Sequence, residues 1–152
     1  MKKTFKANRY KRITAQIADL IQKTSDPLAR MSTIAAILHH KFDYYFWTGF
    51  YRLVNGELTV CCYQGGVACL VLAKHKGVCW AAIDQQKTVI VPDVHQYPGH
   101  IACDSRSRSE IVVPVWRNDK IVAVLDVDSK SLDSFDEIDA EFLGKIVGII
   151  YQ

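Results

Sequence analysis

The hydrophobic period of this chain changes from helical to strand-like near residue 44, and that change constrains its fold more than any other feature. Residues 13–23 carry apolar side chains at helical spacing, and a second helix is predicted to begin at Asp26, an N-cap residue followed by proline. Residues 44–53 are instead β-branched and aromatic, and they lead into an Asn-Gly turn at Asn55, a strong hairpin signal. The sequence therefore predicts two helices followed by a sheet.

The strand after this turn alternates between apolar and polar residues. The alternation runs from Glu57 to Cys62 and has the period of a half-buried strand. It predicts that Cys62 faces the core and that Cys61 faces the other side, and both are expected to act as small hydrophobes. The apolar face of the preceding helix is predicted to comprise Leu28, Met31, Ile34, Ala35 and Leu38.

The rest of the chain continues in strands and ends in one more helix. The predicted elements are a short helix over 77–87, a strand over 88–93, a hairpin of strands 110–116 and 120–128, and a C-terminal helix through about residue 151. A capping box is predicted at Ser134, which is followed three residues later by Glu137. Helices at both ends of a central antiparallel sheet make this an α+β domain, placed over residues 13–152.

The first twelve residues carry six lysine and arginine side chains, a large share of the basic excess in a net charge of +3. We therefore predict a basic, solvated N-terminal arm over residues 1–12. Such an arm can touch nucleic acid or lipid, but no recognition motif or aromatic interleaving follows it, so no nucleic-acid partner is expected. No apolar run resembles a signal peptide or reaches the roughly 18 residues of a membrane span, so we expect a cytoplasmic protein without a membrane partner.

Five cysteines leave three uses open, namely core filling, metal binding and redox chemistry. Zinc sites favour paired ligands two to four residues apart. Cys69, Cys79 and Cys103 are separated by ten and 24 residues, and adding His95 and His100 does not create that spacing. The zinc signal is therefore weak, and stable disulfides are uncommon in a reducing compartment.

Cys103 lies in the longest stretch without a clear period, residues 92–109. Loops of this length inside a compact domain tend to be functional or disordered. Its expected apolar anchors are Val94, Tyr97, Ile101 and Ala102. A thiol on a polar loop beside His100 and Arg106 is a candidate nucleophile, because nearby positive charge lowers a thiol pKa.

Three carboxyl groups are predicted to meet at one end of the sheet. Asp126 and Asp128 end an apolar strand at alternate positions and so share a face, and Glu110 begins the strand predicted to pair with it. Carboxyl groups beside an apolar core can have raised pKa values and donate protons. On the first strand, Trp47 does not share the face of Phe50, so one aromatic set is expected to leave the main core.

Six short motifs are spread along the chain: FWTGFY, QGGVAC, KGVC, VPDVHQYPGHIACDS, SEIVVPV and VLDVDS. Together they resemble the free methionine-(R)-sulfoxide reductases, small single-domain proteins with the GAF fold. The resemblance covers about residues 20–150. The VPDVHQYPGHIACDS block with its downstream SEIVVP is highly specific, since GAF sensors in general do not carry it.

This resemblance implies thiol-dependent reduction of free L-methionine-(R)-sulfoxide to L-methionine. Cys103 would be the nucleophile and would become a sulfenic acid, Cys69 would resolve it as a disulfide, and Cys79 would assist as a further recycling thiol. Thioredoxin would be the external reductant, and no cofactor or metal is expected. GAF domains often dimerise, so a homodimer is compatible with the resemblance.

The resemblance also implies roles for the other candidate residues. Glu110 and Asp128 would hold or protonate the sulfoxide oxygen, and Asp126 would help bind the substrate ammonium group. Trp47 and Tyr51 would form the pocket around the methylthio end.

One residue departs from the family pattern, and two other interpretations stay open. The family commonly has glycine after KGVC, whereas this chain has Trp80, which is expected to crowd or stiffen the segment carrying Cys79. A GAF domain that senses a small molecule or redox state without turnover is the main alternative, and a structural zinc domain is the other.

Overall fold

A computed structural model describes residues 2–100 and 103–152 and contains a six-stranded sheet with helices on both faces. The helices are α1 (Lys3–Leu20), α2 (Pro27–Lys41), α3 (Gly77–Gln85) and α4 (Glu137–Val147). The strands are β1 (Trp47–Val54), β2 (Glu57–Gln64), β3 (Val71–Leu72), β4 (Val89–Val91), β5 (Ser109–Arg117) and β6 (Lys120–Ser129). Short 3₁₀ helices cover Ile21–Lys23 and Val94–Gln96. The α+β prediction is confirmed, while the expected anchors Ile101 and Ala102 lie outside the described residues.

Two hairpins form the centre of the sheet, whose strand order is β3-β2-β1-β6-β5-β4 with every pair antiparallel. The turn between β1 and β2 places Asn55 and Gly56 at positive φ, 52° and 79°, as the Asn-Gly signal predicts. The turn between β5 and β6 does the same with Asn118 and Asp119. β1 then pairs with β6, which joins the two hairpins across about seventy residues of sequence.

Alternation along the central strands divides the apolar interior into two layers. The helix-side core lies between the sheet and α1, α2 and α4, and the strands contribute residues such as Phe50, Ile111 and Leu125 to it. The pocket-side core lies under α3 on the opposite face and includes Tyr51 and Val112. Within the described residues, none of the helices is long and apolar enough to cross a membrane.

The N-terminal residues form part of the domain, which corrects the predicted solvated arm over residues 1–12. α1 begins at Lys3, and Lys6 and Tyr10 are 5% and 0% exposed. Lys6 Nζ lies 2.7 Å from a carboxylate oxygen of Asp139, and Tyr10 stacks on Phe142 of α4 with ring centroids 5.3 Å apart. The charge count misled the prediction because the partner of Lys6 lies 133 residues away.

A β-bulge corrects the prediction that Cys61 and Cys62 face opposite sides of the sheet. Gly49 of β1 pairs with Tyr63 of β2, and Tyr51 pairs with Val60. Two cysteines on β2 therefore lie opposite one residue of β1, Phe50. Both cysteines pack against the helix-side core. The alternation stops at the bulge, because the extra residue shifts the strand register by one.

The ends of the elements differ from the sequence prediction in three places. The N-cap of α4 is Asp136, whose carboxylate accepts from Ile138 N and Asp139 N; the predicted capping box at Ser134 is wrong. α4 ends at Val147 rather than near residue 151, and turns follow it. The two-residue strand β3 was not predicted. By contrast, Asp26 caps α2 as predicted, accepting from Ala29 N at 2.8 Å.

Candidate active site

Three acidic side chains meet at one end of the pocket-side face. β5 and β6 pair Glu110 with Asp128, and Asp126 lies two residues before Asp128 on the same face. β1 flanks β6 on its other edge and pairs Trp47 with Asp128 and Gly49 with Asp126. The structure therefore brings the three predicted acids together through the register of strands that are distant in sequence.

These carboxyl groups, which we call the acid trio, are close together and lack a cationic partner. Glu110 and Asp126 are 5% and 6% exposed, and no lysine or arginine in the described part of the chain forms an ion pair with any of the three. Burial, with a contribution from the charge of Asp128, raises the pKa of Glu110 to about 8. Burial and the neighbouring carboxylates also raise the pKa values of Asp126 and Asp128. Glu110 therefore keeps its proton near neutral pH.

One carboxyl oxygen of the trio has no partner. Oδ1 of Asp126 is buried and accepts no hydrogen bond from any described residue. A buried polar atom without a partner costs free energy, commonly about 1–3 kcal/mol. The site is thus incomplete without a ligand that brings a donor or a positive charge to this oxygen.

Cys79 lies beside the trio in the first turn of α3. It is 4% exposed, and burial followed by the charge of Asp126 raises the pKa of its thiol. Its Sγ and the carboxyl oxygens of Glu110 and Asp126 lie within 4.8 Å of one another, a spacing that would also suit a metal ion. Of this group only Cys79 is a ligand of the zinc alternative, and two other ligands of that alternative, Cys69 and Cys103, are bonded to each other.

An aromatic wall on β1 stands next to the acids. The rings of Trp47 and Tyr51 stack with centroids 5.9 Å apart, and Trp47 also stacks on Tyr63 at 5.3 Å. Gly49 lies under the indole, where an added Cβ would collide with it. Trp47 Nε1 donates a 3.0 Å hydrogen bond to the carbonyl of Gly66, which holds the segment after β2 against the wall.

Cys69 and Cys103 are joined in a disulfide at the edge of this cavity. Their Cα atoms are 5.6 Å apart, although 34 residues separate them in the sequence. Cys103 is solvent-exposed and lines the pocket. The residues after it are ordered by Asp104, whose carboxylate accepts two hydrogen bonds from the side chain of Arg106 and one from its backbone.

The acids, the aromatic wall and the disulfide surround one pocket that opens to solvent. Seven of the eight residues predicted for the site line it, and the eighth, Cys69, is bonded to one of them. The seven are Trp47, Tyr51, Cys79, Cys103, Glu110, Asp126 and Asp128. A cavity with buried acids in its interior, one of them protonated at neutral pH, and a cysteine at its edge can bind a small cationic or zwitterionic ligand and protonate it beside a thiol.

A contact that the sequence prediction missed joins His100 to Glu110. The imidazole Nε2 lies 3.4 Å from Oε1 of Glu110, and the histidine side chain is 12% exposed. Burial lowers the pKa of His100, so the ring is neutral near pH 7. The sequence showed only that His100 is close to Cys103 along the chain, because its contact with Glu110 depends on how the loop folds over β5.

Trp80 does not line the pocket. Its ring lies against His75, with centroids 4.8 Å apart, and its Nε1 donates to the carbonyl of Leu72 at 3.4 Å. The indole therefore supports the contact between α3 and β3.

Proteins of known family resemble this chain in sequence. The family described as GAF domain matches residues 14–151. GAF domain-containing protein A of Dictyostelium discoideum is 42% identical over 146 residues, covering 95% of this chain and 92% of that protein. The free methionine-R-sulfoxide reductase of Escherichia coli is 36% identical over 120 residues, covering 79% of this chain and 73% of that enzyme.

A solved structure of a related enzyme has the same fold as this chain. The X-ray structure of free methionine-R-sulfoxide reductase from Neisseria meningitidis, in complex with its substrate, superposes with a TM-score of 0.92. It is 40% identical in sequence, and the match covers 96% of this chain and 88% of that one.

Proposed function

Because this chain belongs to the GAF-domain free methionine-R-sulfoxide reductases, we propose that it reduces free L-methionine-(R)-sulfoxide to L-methionine. The observation that carries the proposal is the position of Cys103 at the edge of a pocket lined by three buried carboxyl groups, of which Glu110 keeps its proton at neutral pH. A sulfoxide is a poor electrophile until its oxygen is protonated, so a thiol beside buried acids suits this substrate.

The substrate is oriented by charge and by the aromatic wall. The unpartnered Oδ1 of Asp126 accepts a hydrogen bond from the substrate ammonium, which also supplies the missing positive charge. The methylthio group packs against Trp47 and Tyr51. A peptide-bound methionine sulfoxide has no free ammonium, so it leaves the aspartate unsatisfied and binds poorly.

The first chemical step transfers oxygen from the substrate to Cys103. The Cys103 thiolate attacks the sulfoxide sulfur while Glu110 donates one proton to the oxygen and Asp128 holds that oxygen. The S–O bond of the substrate then breaks, and the hydroxyl passes to the sulfur of Cys103. The substrate sulfur is reduced to the thioether, and the cysteine is oxidised to a sulfenic acid. Glu110 carries its proton at neutral pH because burial raises its pKa to about 8.

The second step closes the disulfide between Cys69 and Cys103. The Cys69 thiol attacks the sulfenic sulfur, the S–O bond breaks and water leaves. The disulfide present in the structure corresponds to the product of this step. Cys79 takes no direct part in our scheme, since its buried thiol has a raised pKa, and the recycling role that the resemblance implies for it stays a prediction.

Thioredoxin then returns the enzyme to its dithiol state. An exposed apolar patch around Cys69 supports a contact with thioredoxin. In this patch Val67, Leu70 and Val71 are 88%, 75% and 48% exposed. Exposed apolar patches commonly mark protein contact sites. The reductant takes over the disulfide, so two electrons and two protons enter for each methionine released.

The deciding experiment couples the protein to thioredoxin, thioredoxin reductase and NADPH. Free methionine-(R)-sulfoxide should drive NADPH oxidation, whereas the (S) epimer and an N-acetylated, C-amidated sulfoxide should not. Cys103→Ser should abolish methionine release, and Cys69→Ser should still release one methionine per chain. Substrate binding without turnover would overturn the proposal and favour a sensor.

A second experiment tests the thioredoxin contact separately. Leu70→Asp should raise the KM for thioredoxin severalfold but leave the rate with dithiothreitol unchanged. Leu20→Asp, at a half-exposed position at the end of α1, is the matched control. Equal loss with both reductants would mean that Leu70 acts on the pocket rather than on docking.

A further inference from the structure

The β-bulge in β2 creates a second pair of thiols on the face of the sheet opposite the pocket. Cys61 and Cys62 together oppose Phe50, and both pack against the helix-side core. Neither is fully buried. Two adjacent cysteines in a regular strand would point to opposite faces, so the bulge is what brings these thiols together.

Two neighbouring elements complete the surroundings of this pair. Arg52 shares the face of Phe50 on β1, and its Nε is buried without a hydrogen-bond partner among the described residues. On the other side, Cys62 Sγ donates to the carbonyl of Leu28 in the first turn of α2, at 3.5 Å. Asp26, the N-cap of that helix, is the nearby acid. The pair therefore lies between a guanidinium and a helix end.

The two thiols of the pair differ in their ease of ionisation. The neighbouring Cys62 thiol, assisted by the charge of Arg52, lowers the pKa of Cys61 to about 7. The same contact raises the pKa of Cys62, with burial adding to the effect. Cys79, the third free thiol of the described chain, is buried and its pKa is raised. Cys61 and Cys62 are both partly exposed and both lie near the charge of Arg52, which are the conditions for a reactive thiol. The proton of Cys62 is held by the carbonyl of Leu28, so Cys61 is the thiol that can ionise.

We propose that Cys61 is a second reactive thiol, which forms mixed disulfides with low-molecular-weight disulfides and is held as a thiolate by Cys62 and Arg52. The Cys61 thiolate attacks one sulfur of the small disulfide, and a new S–S bond forms as the reagent's own S–S bond breaks. Cys61 is oxidised, and the departing half of the reagent is reduced and leaves as a thiolate that takes a proton from water. The modification lies on the helix side of the sheet, away from the Cys69–Cys103 disulfide.

The test uses the wild-type chain with Cys69–Cys103 closed, so that the free thiols are Cys61, Cys62 and Cys79. Glutathione disulfide and a dipyridyl disulfide are added between pH 5.5 and 9.5, and the modified cysteine is located by peptide mass spectrometry. We expect the first adduct on Cys61, with a rate that rises with pH to a midpoint near 7. A first adduct on another cysteine, or a midpoint above 8, would overturn the proposal.

Three variants separate the contributions of the neighbours. Cys61→Ser should lose the fast reaction, while Cys62→Ala and Arg52→Gln should each keep it and move its midpoint upward by about one pH unit. Arg52→Lys keeps the positive charge and should retain most of the wild-type behaviour. An unchanged midpoint in both Cys62→Ala and Arg52→Gln would refute the assigned environment. Reduction of methionine sulfoxide should be unaffected by Cys61→Ser, so this result does not depend on the proposed enzymatic activity.

Discussion

Asp139 on the helix side and Asp126 on the pocket side are both buried aspartates, yet their surroundings are opposite. Oδ1 of Asp139 accepts from the hydroxyls of Tyr10 and Tyr44 at 2.6 and 2.7 Å. Its Oδ2 accepts from Lys6 Nζ at 2.7 Å and from a backbone amide at 2.8 Å. Four donors and one positive charge thus satisfy a carboxylate that is fully buried.

Asp126 has the reverse arrangement, since its closest polar neighbours are other acids and a thiol. Oδ1 has no partner, and the charge of Glu110 raises the pKa of Asp126 beyond the effect of burial. Burying a charge is tolerated when donors surround it and is costly when they are absent. The difference shows which acid holds the fold together and which one lacks a ligand.

The largest effect should come from breaking the satisfied site. Asp139→Asn removes the negative charge 2.7 Å from the buried Lys6, which keeps only Asp136 at 3.3 Å, so the free energy of unfolding should fall by about 3 kcal/mol. Urea unfolding followed by circular dichroism measures this. Glu141→Gln, which removes an exposed pair with Lys145, is the control and should change little. A loss below about 1 kcal/mol for Asp139→Asn would show that the network is not structural.

The same substitution on the pocket side should act on activity instead. Asp126→Asn removes an uncompensated buried acid, so the free energy of unfolding at pH 7 should stay the same or rise by about 1 kcal/mol. The kcat/KM for free methionine-(R)-sulfoxide should fall by about 100-fold, because the substrate ammonium loses its anionic partner. Coupled NADPH oxidation and urea unfolding measure the two effects. Destabilisation as large as that of Asp139→Asn would erase the contrast.

The pH dependence of stability gives a third distinction. The folded chain keeps the proton of Glu110 up to about pH 8, whereas the unfolded chain releases it near pH 4.3. The unfolded state therefore binds fewer protons in this window, and stability falls as pH rises, by up to about 1.4 kcal/mol per pH unit for one proton. This contribution is fully present below the unfolded pKa and is lost above pH 8. Glu110→Gln should flatten the profile of unfolding free energy, and an unchanged slope would contradict the assignment.

Local patterns predicted the pocket side well. The alternation in β6 placed Asp126 and Asp128 on one face, and the hairpin placed Glu110 opposite Asp128. These are contacts within a hairpin, where the turn fixes the register. The motif resemblance supplied the cysteines, whose gaps of ten and 24 residues have no local period.

Contacts set by the tertiary fold could not be predicted in this way. The partner of Lys6 is 133 residues distant, so its charge was read as solvent-exposed. The bulge at Cys61 and Cys62 depends on how β2 pairs with β1, and nothing in the residue pattern marks the extra residue. The need for glycine at position 49 could not be predicted either, because it arises from the packing of the Trp47 indole, with which an added Cβ would collide.

The smallest predicted effect concerns His100, the histidine that contacts Glu110 of the acid trio. Its neutral ring lies 3.4 Å from Glu110 and is slightly exposed, so it can return a proton from solvent to Glu110 after each turnover. His100→Gln keeps a hydrogen-bonding group but cannot relay a proton. We expect kcat to fall threefold to tenfold, more strongly as pH rises above 7 and protons become scarce, with little change in KM. His95→Gln, on an exposed side chain of the same loop, is the control; an equal loss at every pH would instead mean that His100 only shapes the pocket.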